Sequence, residues 1–494
     1  MSKIQVLHVS AECYPAAKAG GLGDVVGALP KYLNQEGVRT AVIIPRYDRK
    51  WFHDKTFQTD YQGTVQLSEE FIPFSIELVI DANLGFPLYV ANIPGKFDRP
   101  GVYLDPVSGY GYQDELQRYL SFQVAVLQWV NQFADKPDVI HCHDHHTGLI
   151  PFFMKHGMAF RSMSNIPSVF TIHNGQYHGT FGWNMAHLLP WFDGDARGVL
   201  DWNNSINPLA TGIKASWKLT TVSPSYMEEL RTASNGLEWL LRGEVHKSAG
   251  ILNGIDNQVW DPRTDHYLEY QLKGSVKKYK SANKKAICQR FGLNPDYPLM
   301  TFIGRLVGEK GADLLPELIG RMLGDGHPIA FFVLGTGDPR LHNILPQMAD
   351  QFGDRFHAQI EYNEGLAHNL YAGSDFLMMP SRVEPCGLNQ MYALRYGTVP
   401  IVRSIGGLKD TIPDIGEPDG SGRGIRFDQM SVDDAYHATY RGLEVYRNKD
   451  YFSDLRKGIM EADFSWDSAA RNYIYLYQEL GLSLPVIQTL GEEE

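Results

Sequence analysis

Two loops of this sequence combine basic side chains with glycines directly after an apolar run that predicts a β-strand. Lys18-Ala19-Gly20-Gly21-Leu22 follows the apolar residues 4–9, and Gly304-Arg305 with Lys310-Gly311 follows the apolar residues 299–303. Glycine lets the backbone approach a ligand closely, and the free amides at the start of a helix bind anions. Because each loop also carries cations, we predict that the two loops bind one diphosphate.

A third segment with chemical potential runs from Pro380 to Gln390, between a predicted strand at residues 375–379 and a predicted helix at residues 387–396. Pro385 restricts the preceding residue to extended geometry, so we expect Glu384 to lie outside the helix with its carboxylate free. The amides of Gly387, Leu388 and Asn389 are expected to point from the helix start toward a ligand. The alternative is that Glu384 only stabilises its own helix.

The elements that must position these loops follow from the spacing of apolar residues. Short runs rich in Val, Ile, Leu and Phe alternate with longer amphipathic stretches, a pattern typical of a parallel sheet covered by helices on both faces, with ligands at the carboxyl ends of its strands. The predicted strands are residues 4–9, 40–44, 138–142, 168–172, 219–222, 299–303, 329–334, 357–362, 375–379 and 399–402. A helix is also predicted over residues 313–322.

The pattern restarts after residue 255, which predicts two Rossmann-like domains. The first covers residues 1–255 and includes an aromatic, antiparallel-looking insertion at about 51–112. The second covers residues 256–465. Residues 466–494 are predicted to form a helix that crosses back toward the first domain, followed by the acidic tail Gly491-Glu492-Glu493-Glu494, which we expect to be a frayed end.

Composition excludes several classes of protein. The chain has 494 residues, 43% of them hydrophobic, and a formal net charge of -12, which argues against a general nucleic-acid or anionic-membrane surface. Its four cysteines show no CxxC spacing, as expected in a reducing compartment. No apolar run approaches the roughly 20 residues that a membrane span needs. We therefore expect a cytoplasmic protein; its oligomeric state stays open.

In their order and spacing, the segments above resemble bacterial and plant glycogen/starch synthases, and similar segments run from residue 4 to about 470. The resemblance also rests on His173-Asn174, Arg46-Tyr47-Asp48, Thr221-Val222-Ser223-Pro224, Asn253-Gly254-Ile255-Asp256 and Glu384-Pro385-Cys386-Gly387-Leu388. It implies an α/β GT-B fold, in which two Rossmann-like, doubly wound domains face each other across a deep cleft.

The activity implied by the resemblance is retaining transfer of glucose from ADP-glucose, or another nucleoside diphosphate glucose, to the nonreducing 4-hydroxyl of an α-1,4-glucan. The nucleotide sugar would be a substrate, and no cofactor is expected. Two alternatives stay open: a GT-B glycosyltransferase with a different sugar donor or acceptor, and a catalytically silent relative that binds glucan.

The resemblance also assigns roles to residues of this sequence. Lys18, Arg305 and Lys310 would neutralise the diphosphate, together with backbone amides near Gly20, Gly21, Cys386, Gly387, Leu388 and Asn389. Glu384 would hold hydroxyls of the donor glucose, and Tyr362, at the end of its strand, would stack on the base. His173 and Asn174 would lie beside the transferred sugar, Asp144 and Asn253 match further site positions, and Asp24 would line the donor or acceptor side.

Two patterns suggest a metal, but we expect none. His141, His143, His145 and His146 could place several imidazoles on one side of a strand, yet the spacing lacks a typical neighbouring Cys or Glu ligand. Asp193-Gly194-Asp195 is a DxD triplet of the kind that holds manganese in the other major glycosyltransferase fold. The chain departs from the family at His145, where tryptophan is usual, at Asn389, where threonine is usual, and at Gly175-Gln176-Tyr177.

Overall fold

The computed structural model describes residues 4–482, which divide into two compact units. Unit 1 takes the chain up to Val222, then Met227–Ile251 and the chain from Trp466, whereas unit 2 takes Ser223–Tyr226 and Leu252–Ser465. The boundary expected after residue 255 therefore falls after Ile251, and Asn253 belongs to unit 2. The acidic tail at residues 491–494 lies outside the described residues.

Unit 1 is built on a nine-stranded sheet in the order β11-β10-β7-β6-β1-β2-β5-β4-β3, and unit 2 on a six-stranded sheet in the order β14-β13-β12-β15-β16-β17. The strands are β1 Gln5–Val9, β2 Arg39–Pro45, β3 Phe57–Leu67, β4 Glu70–Val79, β5 Leu88–Asn92, β6 Val139–His143, β7 Ser168–Ile172, β8 Asp201–Trp202, β9 Ser205–Ile206, β10 Lys218–Thr221, β11 Ser248–Gly250, β12 Leu299–Ile303, β13 Ala330–Leu334, β14 Phe356–Gln359, β15 Phe376–Met379, β16 Val399–Arg403 and β17 Ile425–Phe427. Strands β8 and β9 form a separate pair.

Seventeen α-helices connect and cover these strands within the described residues. They are α1 Gly21–Gln35, α2 Lys50–His53, α3 Glu115–Asn131, α4 Ile150–His156, α5 Arg197–Leu200, α6 Pro208–Ala215, α7 Pro224–Leu230, α8 Glu238–Gly243, α9 Val276–Phe291, α10 Leu315–Gly324, α11 Pro339–Phe352, α12 Glu364–Gly373, α13 Asn389–Arg395, α14 Gly406–Thr411, α15 Val432–Arg447, α16 Lys449–Met460 and α17 Trp466–Gln478. Between residues 4 and 482, none of the helices is both long and apolar enough to cross a membrane.

The central strands of both sheets pair in parallel, which confirms the doubly wound α/β class. Strands β6, β7, β13 and β15 are buried along their whole length, as expected where helices cover both faces. The region expected to be an insertion instead extends the unit 1 sheet. There β5 pairs in parallel with β2, and the long β3–β4 hairpin continues the sheet in antiparallel pairing.

Helix α17 packs against unit 1 through a cluster of buried residues. Trp466, Ala470, Tyr473 and Tyr477 lie in one apolar core with residues of α1 and β1. Apolar positions three, four and seven residues apart lie on one side of a helix, so this spacing gives α17 the continuous face that it buries. The end of the described chain is thereby part of the core of unit 1.

In unit 2, β14, α10 and α13 each have a bound that differs by two or three residues from its predicted position. Strand β14 ends at Gln359, so Tyr362 lies beyond the strand and not at its end. The helix predicted from residue 313 starts as a 3₁₀ turn at Ala312–Leu314 and becomes α-helical at Leu315. Helix α13 begins at Asn389 because Gly387, with φ of 74°, is in left-handed geometry and cannot belong to an α-helix.

Candidate active site

The first basic loop of unit 1 lies between β1 and α1, and two of its amides, those of Ala19 and Gly20, are already bound. The Glu12 carboxylate oxygen Oε2 accepts hydrogen bonds from the backbone N–H groups of Ala19, at 2.5 Å, and Gly20, at 2.9 Å. We expected the Gly20 amide to be available to a phosphate, and that expectation is wrong in this structure. The Gly21 amide belongs to the first turn of α1, whose start at Gly21 still directs helix amides toward the loop.

Glu12 is a residue of this site that the sequence analysis missed. It is 2% exposed, and its other carboxylate oxygen, Oε1, accepts a 2.6 Å hydrogen bond from the Tyr103 hydroxyl. Two amides and one hydroxyl thus hold this carboxylate beneath the loop. Glu12 and Tyr103 are 91 positions apart, so no local sequence pattern could reveal the pairing.

Lys18 projects from the same loop with its side chain 42% exposed, and its Nζ lies 2.6 Å from the carboxylate of Asp24. Asp24 lies in the first turn of α1, where a negative side chain also stabilises the helix. The structure therefore brings these two predicted site residues together as an ion pair. Such an exposed pair adds little stability, so exchanging Asp24 for an anionic ligand costs little.

Asp144 follows β6 in strained backbone geometry, with φ of 58° and ψ of 178°. A residue with a side chain rarely adopts this region, and strain of this kind concentrates at functional sites. The Asp144 carboxylate accepts hydrogen bonds from the backbone N–H groups of His173, at 2.7 Å, and Asn174, at 3.4 Å. Burial raises the pKa of this carboxyl to about 7.

His173 follows β7 and is joined through its side chain to two more histidines. Its Nε2 lies 3.0 Å from His143 Nδ1, and His143 Nε2 lies 3.1 Å from His8 Nδ1. Burial lowers the pKa of His173 and of His8 to about 3, so both imidazoles are neutral at physiological pH. Asp144, His173 and Asn174 thus form one connected group at the carboxyl ends of β6 and β7.

The four histidines considered for zinc divide between two places. His141 and His143 lie beside His8, and His145 and His146 lie beside Glu115; in each group, potential ligand atoms are within 4.8 Å of one another. Both ring nitrogens of His141 already have partners, the Tyr477 hydroxyl at 2.8 Å and the Thr171 hydroxyl at 2.7 Å. This pairing explains the burial of His141 without a metal.

The DxD triplet also has a local structural explanation. Asp193 caps the 3₁₀ turn Gly194–Ala196, and its carboxylate accepts a 3.1 Å hydrogen bond from the backbone N–H of Asp195. Capping a free amide at the start of a helical turn is a common role of aspartate.

In unit 2, the basic loop after β12 presents Arg305 to solvent and turns Lys310 inward. The Arg305 side chain is 64% exposed, with its guanidinium 3.3 Å from Glu309. The Lys310 side chain is only 25% exposed. Gly311, with φ of 68°, lies so close to the Pro380 carbonyl that a side chain would collide with it, so the loop can pack against the end of β15 only with glycine there.

Lys310 and Glu384 form the central ion pair of this site. Lys310 Nζ lies 2.7 Å from each carboxylate oxygen of Glu384, and Ser381 donates a 2.9 Å hydrogen bond to the same carboxylate. Glu384 is 5% exposed. It lies outside the helix as predicted, but the expectation that its carboxylate is free is wrong, because Lys310 and Ser381 bind it.

A second set of contacts fixes the two loops of unit 2 to each other. Arg382 forms a bidentate pair with Asp313, at 2.5 and 2.8 Å, and also donates a hydrogen bond to the Gly308 carbonyl. The backbone N–H of Arg382 donates to the Glu309 carbonyl at 2.8 Å. Bidentate arginine pairs are geometrically specific, so Lys310 and Glu384 are held in a defined relation.

The segment after Glu384 is anchored rather than open. The Asn389 side chain donates a 2.7 Å hydrogen bond to the Ile303 carbonyl, which joins the start of α13 to the end of β12. Cys386 is buried, and burial raises the pKa of its thiol to about 12. Gly387 precedes α13 and Leu388 is its N-cap, so the amides of Leu388 and Asn389 lie at the start of this helix.

The predicted base-stacking residue, Tyr362, is 82% exposed and lies three positions beyond the end of β14. Its ring therefore presents a large surface to solvent near the carboxyl edge of the unit 2 sheet. Arg305, Lys310, Glu384 and Tyr362 all follow strands of that sheet at this edge, where ligands bind in doubly wound folds.

Two mainly parallel sheets wound by helices, each with a basic loop at the carboxyl end of a strand, define a two-domain glycosyltransferase of the GT-B class. The Starch synthase catalytic domain family matches residues 5–243, and the Glycosyl transferases group 1 family matches residues 283–435. The chain belongs to the glycogen/starch synthase family of glycosyltransferases.

Individual relatives cover nearly the whole chain. A glycogen synthase of Flavobacterium johnsoniae is 44% identical over 96% of this chain and 98% of its own length, and one of Streptococcus pneumoniae is 36% identical over 97% and 100%. The solved catalytic domain of starch synthase IV from Arabidopsis thaliana, bound to ADP and acarbose, superposes with a TM-score of 0.84 at 32% identity and covers 97% of this chain and 99% of that one. These relatives support glycogen/starch synthase function.

Proposed function

We propose that this glycosyltransferase transfers glucose from ADP-glucose to the nonreducing 4-hydroxyl of an α-1,4-glucan, with retention of anomeric configuration. The observation that carries the proposal is the Lys310–Glu384 pair, because it puts a cation for phosphate beside a carboxylate for sugar hydroxyls. The solved starch synthase IV domain was bound to ADP, which favours adenine over other bases. No cofactor is required in this scheme, and the glucan and the nucleotide sugar are the partners.

Under this proposal, Lys18 of unit 1 and Arg305 and Lys310 of unit 2 bind the same diphosphate. Lys18 exchanges Asp24 for a phosphate oxygen, and Arg305, which is mostly exposed, turns toward the ligand. Charge that develops on the leaving diphosphate strengthens these contacts in the transition state. A positioned donor of this kind contributes about 3 kcal/mol to the lowering of the barrier.

Retention is proposed to arise from attack on the face from which the diphosphate leaves. The bond between the anomeric carbon and the phosphate oxygen breaks, the bond to the acceptor oxygen forms on the same face, and the acceptor proton passes to a departing phosphate oxygen. A double displacement needs a free carboxylate nucleophile on the opposite face. Both oxygens of Glu384 are bound to Lys310, which suits this carboxylate to holding hydroxyls instead.

His173 is proposed to contact the transferred glucose, with its backbone fixed by Asp144. As a neutral imidazole it offers a hydrogen bond without repelling positive charge that develops at the anomeric carbon. Asn174 and Asp24 are proposed to line the same part of the site. Tyr362 is proposed to stack on the adenine, for which its exposed ring is suited.

A direct test offers radiolabelled ADP-, UDP- and GDP-glucose separately, each with glycogen, and measures incorporation into polymer. We expect ADP-glucose to give the highest kcat/KM, and the product label to be released by an enzyme that cleaves only α-1,4 bonds. Preferred use of UDP- or GDP-glucose would favour the alternative of a different donor. Binding of glycogen without incorporation from any donor would favour the silent relative.

A further inference from the structure

A continuous hydrogen-bonded chain of imidazoles connects the interior of unit 1 to His173. His8 lies on β1, His143 on the neighbouring β6, and His173 directly after β7, with N···N distances of 3.1 Å and 3.0 Å between successive rings. Strands β1 and β6 pair in register, as do β6 and β7. Because side chains two positions apart on a strand share a face, His141 and His143 both lie on the side of the sheet where the hydrogen-bonded imidazoles lie.

Each ring in the chain is held in place by its neighbours. His8 and His143 are fully buried, and His173 is 8% exposed. The His141 ring stacks on His143, with centroids 4.4 Å apart and planes at 16°, and contacts His8 at 4.8 Å. His141 itself is fixed by Thr171 and by Tyr477 of α17. The rings therefore have little freedom to rotate.

A neutral imidazole carries one proton on a ring nitrogen, so the hydrogen bonds between the three rings can run in only two directions. In the first, His8 Nδ1–H donates to His143 Nε2, and His143 Nδ1–H donates to His173 Nε2. In the second, every bond is reversed, and His8 must carry its proton on Nε2. Burial lowers the pKa of all three rings, so none of them is doubly protonated at neutral pH.

The unpartnered end of the chain decides between the two directions. His8 Nε2 is buried and has no hydrogen-bond partner. The reversed direction would place an N–H there, and buried N–H groups without an acceptor are rarer in proteins than unsatisfied acceptors. The first direction leaves only a lone pair at this atom. It is therefore the more stable arrangement.

We propose that His8 and His143 are positioning residues that fix His173 as the tautomer protonated on Nδ1. Nε2 of His173 accepts from His143, and Nδ1–H remains as a hydrogen-bond donor for the substrate. The inference rests on the proposed function, because it assumes that His173 donates a hydrogen bond to an oxygen of the transferred sugar. Which ring nitrogen of a histidine carries the proton is set by the bond that its other nitrogen makes.

The tautomer can be measured without substrate. The full-length protein is labelled with ¹⁵N at histidine, and two-bond ¹H–¹⁵N correlations at neutral pH distinguish Nδ1–H from Nε2–H rings, with assignment by His173→Gln and His143→Gln variants. We expect His8, His143 and His173 all to be protonated on Nδ1. A His173 signal with the proton on Nε2 would overturn the proposal.

Variants of His8 then test whether the chain acts on the reaction. His8→Asn keeps an N–H donor near the position of Nδ1, whereas His8→Leu removes it. We expect His8→Leu to lower kcat about tenfold with little change in the KM for nucleotide sugar, since slight misplacement of a site group impairs the transition state. His8→Asn should recover most of that loss, and His246→Leu, on the exposed His246, serves as the control.

The outcomes separate this inference from the proposed function. If the unmodified protein transfers no glucose, the proposed function fails, and the tautomer measurement still decides the direction of the chain. If glucose is transferred but a folded His8→Leu protein has unchanged kcat and an unchanged His173 tautomer, the positioning role is wrong. If His8→Leu does not fold, the spectrum of the unmodified protein remains the deciding measurement.

Discussion

At the scale of single residues, the Lys310–Glu384 ion pair is the centre of the candidate site in unit 2. The pair is mostly buried, and Ser381 and the neighbouring Arg382–Asp313 pair hold its two loops. A buried ion pair gives little net stability, because desolvation of both charges opposes their attraction. Its arrangement is therefore better explained by substrate binding than by a contribution to folding.

Replacement of Lys310 tests this interpretation. We expect Lys310→Ala and Lys310→Gln to lower kcat/KM for glucose transfer on the order of 100-fold, the usual cost of removing one donor to a developing negative charge. Lys310→Ala should also destabilise the protein by roughly 2 kcal/mol, because it leaves Glu384 without its main partner. Radiolabel incorporation and urea unfolding measure the two effects.

A matched control is Lys285→Ala, which removes an exposed lysine from α9 in the same unit. It should leave kcat/KM and unfolding unchanged. If Lys310→Ala behaved like this control, Lys310 would have no part in the site.

The sequence predicted which loops follow the strands better than it predicted the contacts of the side chains in those loops. Gly-rich basic loops and a proline after Glu384 are local patterns, so the loops that carry Lys18, Arg305, Lys310 and Glu384 could be predicted. Contacts between distant parts of the chain were not predictable in this way: Lys310 is 74 positions from its partner Glu384, and Tyr103 is 91 positions from its partner Glu12. A free Glu384 carboxylate was predicted for that reason.

At the scale of secondary structure, buried histidines on β1, on β6 and directly after β7 make unit 1 sensitive to acid. Burial lowers the pKa of His8, His141, His143 and His173 below the ordinary value of 6.5. Below pH 6.5 these histidines take up protons in the unfolded chain, whereas in the folded protein they stay neutral down to a lower pH. The free energy of unfolding therefore falls as pH decreases from 6.5 toward about 3.

We expect urea unfolding to show lower stability at about pH 5 than at about pH 7, with each such histidine contributing up to about 1.4 kcal/mol per pH unit. Asp144 acts in the opposite direction, because its raised pKa lets the folded state keep a proton up to about pH 7. The histidines outnumber Asp144, so their effect dominates. His8→Asn should reduce the slope of the free energy of unfolding against pH. Equal stability at both pH values would contradict the neutral histidine chain.

The helix α17 offers a second test at this scale. Tyr477→Phe removes the hydroxyl that bonds to His141 and leaves a buried ring nitrogen unsatisfied, at a cost of about 1–3 kcal/mol. Tyr475→Phe on the same helix is the control, because Tyr475 is 46% exposed. Urea unfolding should distinguish the two variants, and equal stabilities would show that the Tyr477 hydroxyl contributes nothing.

Strands were predicted more closely than helix starts. Ser168–Ile172 and Leu299–Ile303 match the predicted residues, because a strand that is buried on both faces is a mostly apolar run. The start of α13 was placed two residues early, since its position depends on the left-handed backbone at Gly387. Strand β14 was extended too far, to Tyr362, because aromatic residues favour strands and hide where pairing stops.

At the scale of the whole molecule, the chain passes between its two units four times, at residues 222/223, 226/227, 251/252 and 465/466. A segment as short as Ser223–Tyr226 shows no change in composition at its ends, so the sequence could not reveal that it belongs to unit 2. Within unit 2, Ser223 and Ser225 are tied by hydrogen bonds to the Pro385 carbonyl and to Asp410. The segment Ser223–Tyr226 thereby contacts the segment that carries Glu384.

Independence from divalent metal is a prediction for the whole enzyme. In the proposed function, Lys18, Arg305 and Lys310 supply the positive charge that a metal would bring to a diphosphate. Asp193 of the DxD triplet caps a helical turn. We expect glucose transfer to retain its kcat after dialysis against EDTA. Loss of activity that added Mn²⁺ or Zn²⁺ restored would show that a metal takes part.

The most direct test of the central claim is calorimetric titration of ADP into the unmodified protein and into the Lys18→Ala, Lys310→Ala and doubly substituted proteins. If both loops bind one diphosphate, each single substitution should raise the Kd at least about tenfold, the effect of losing about 1.4 kcal/mol of binding energy. The double substitution should weaken binding further. An unchanged Kd for Lys18→Ala, with Lys310→Ala impaired, would contradict the claim that unit 1 shares the diphosphate.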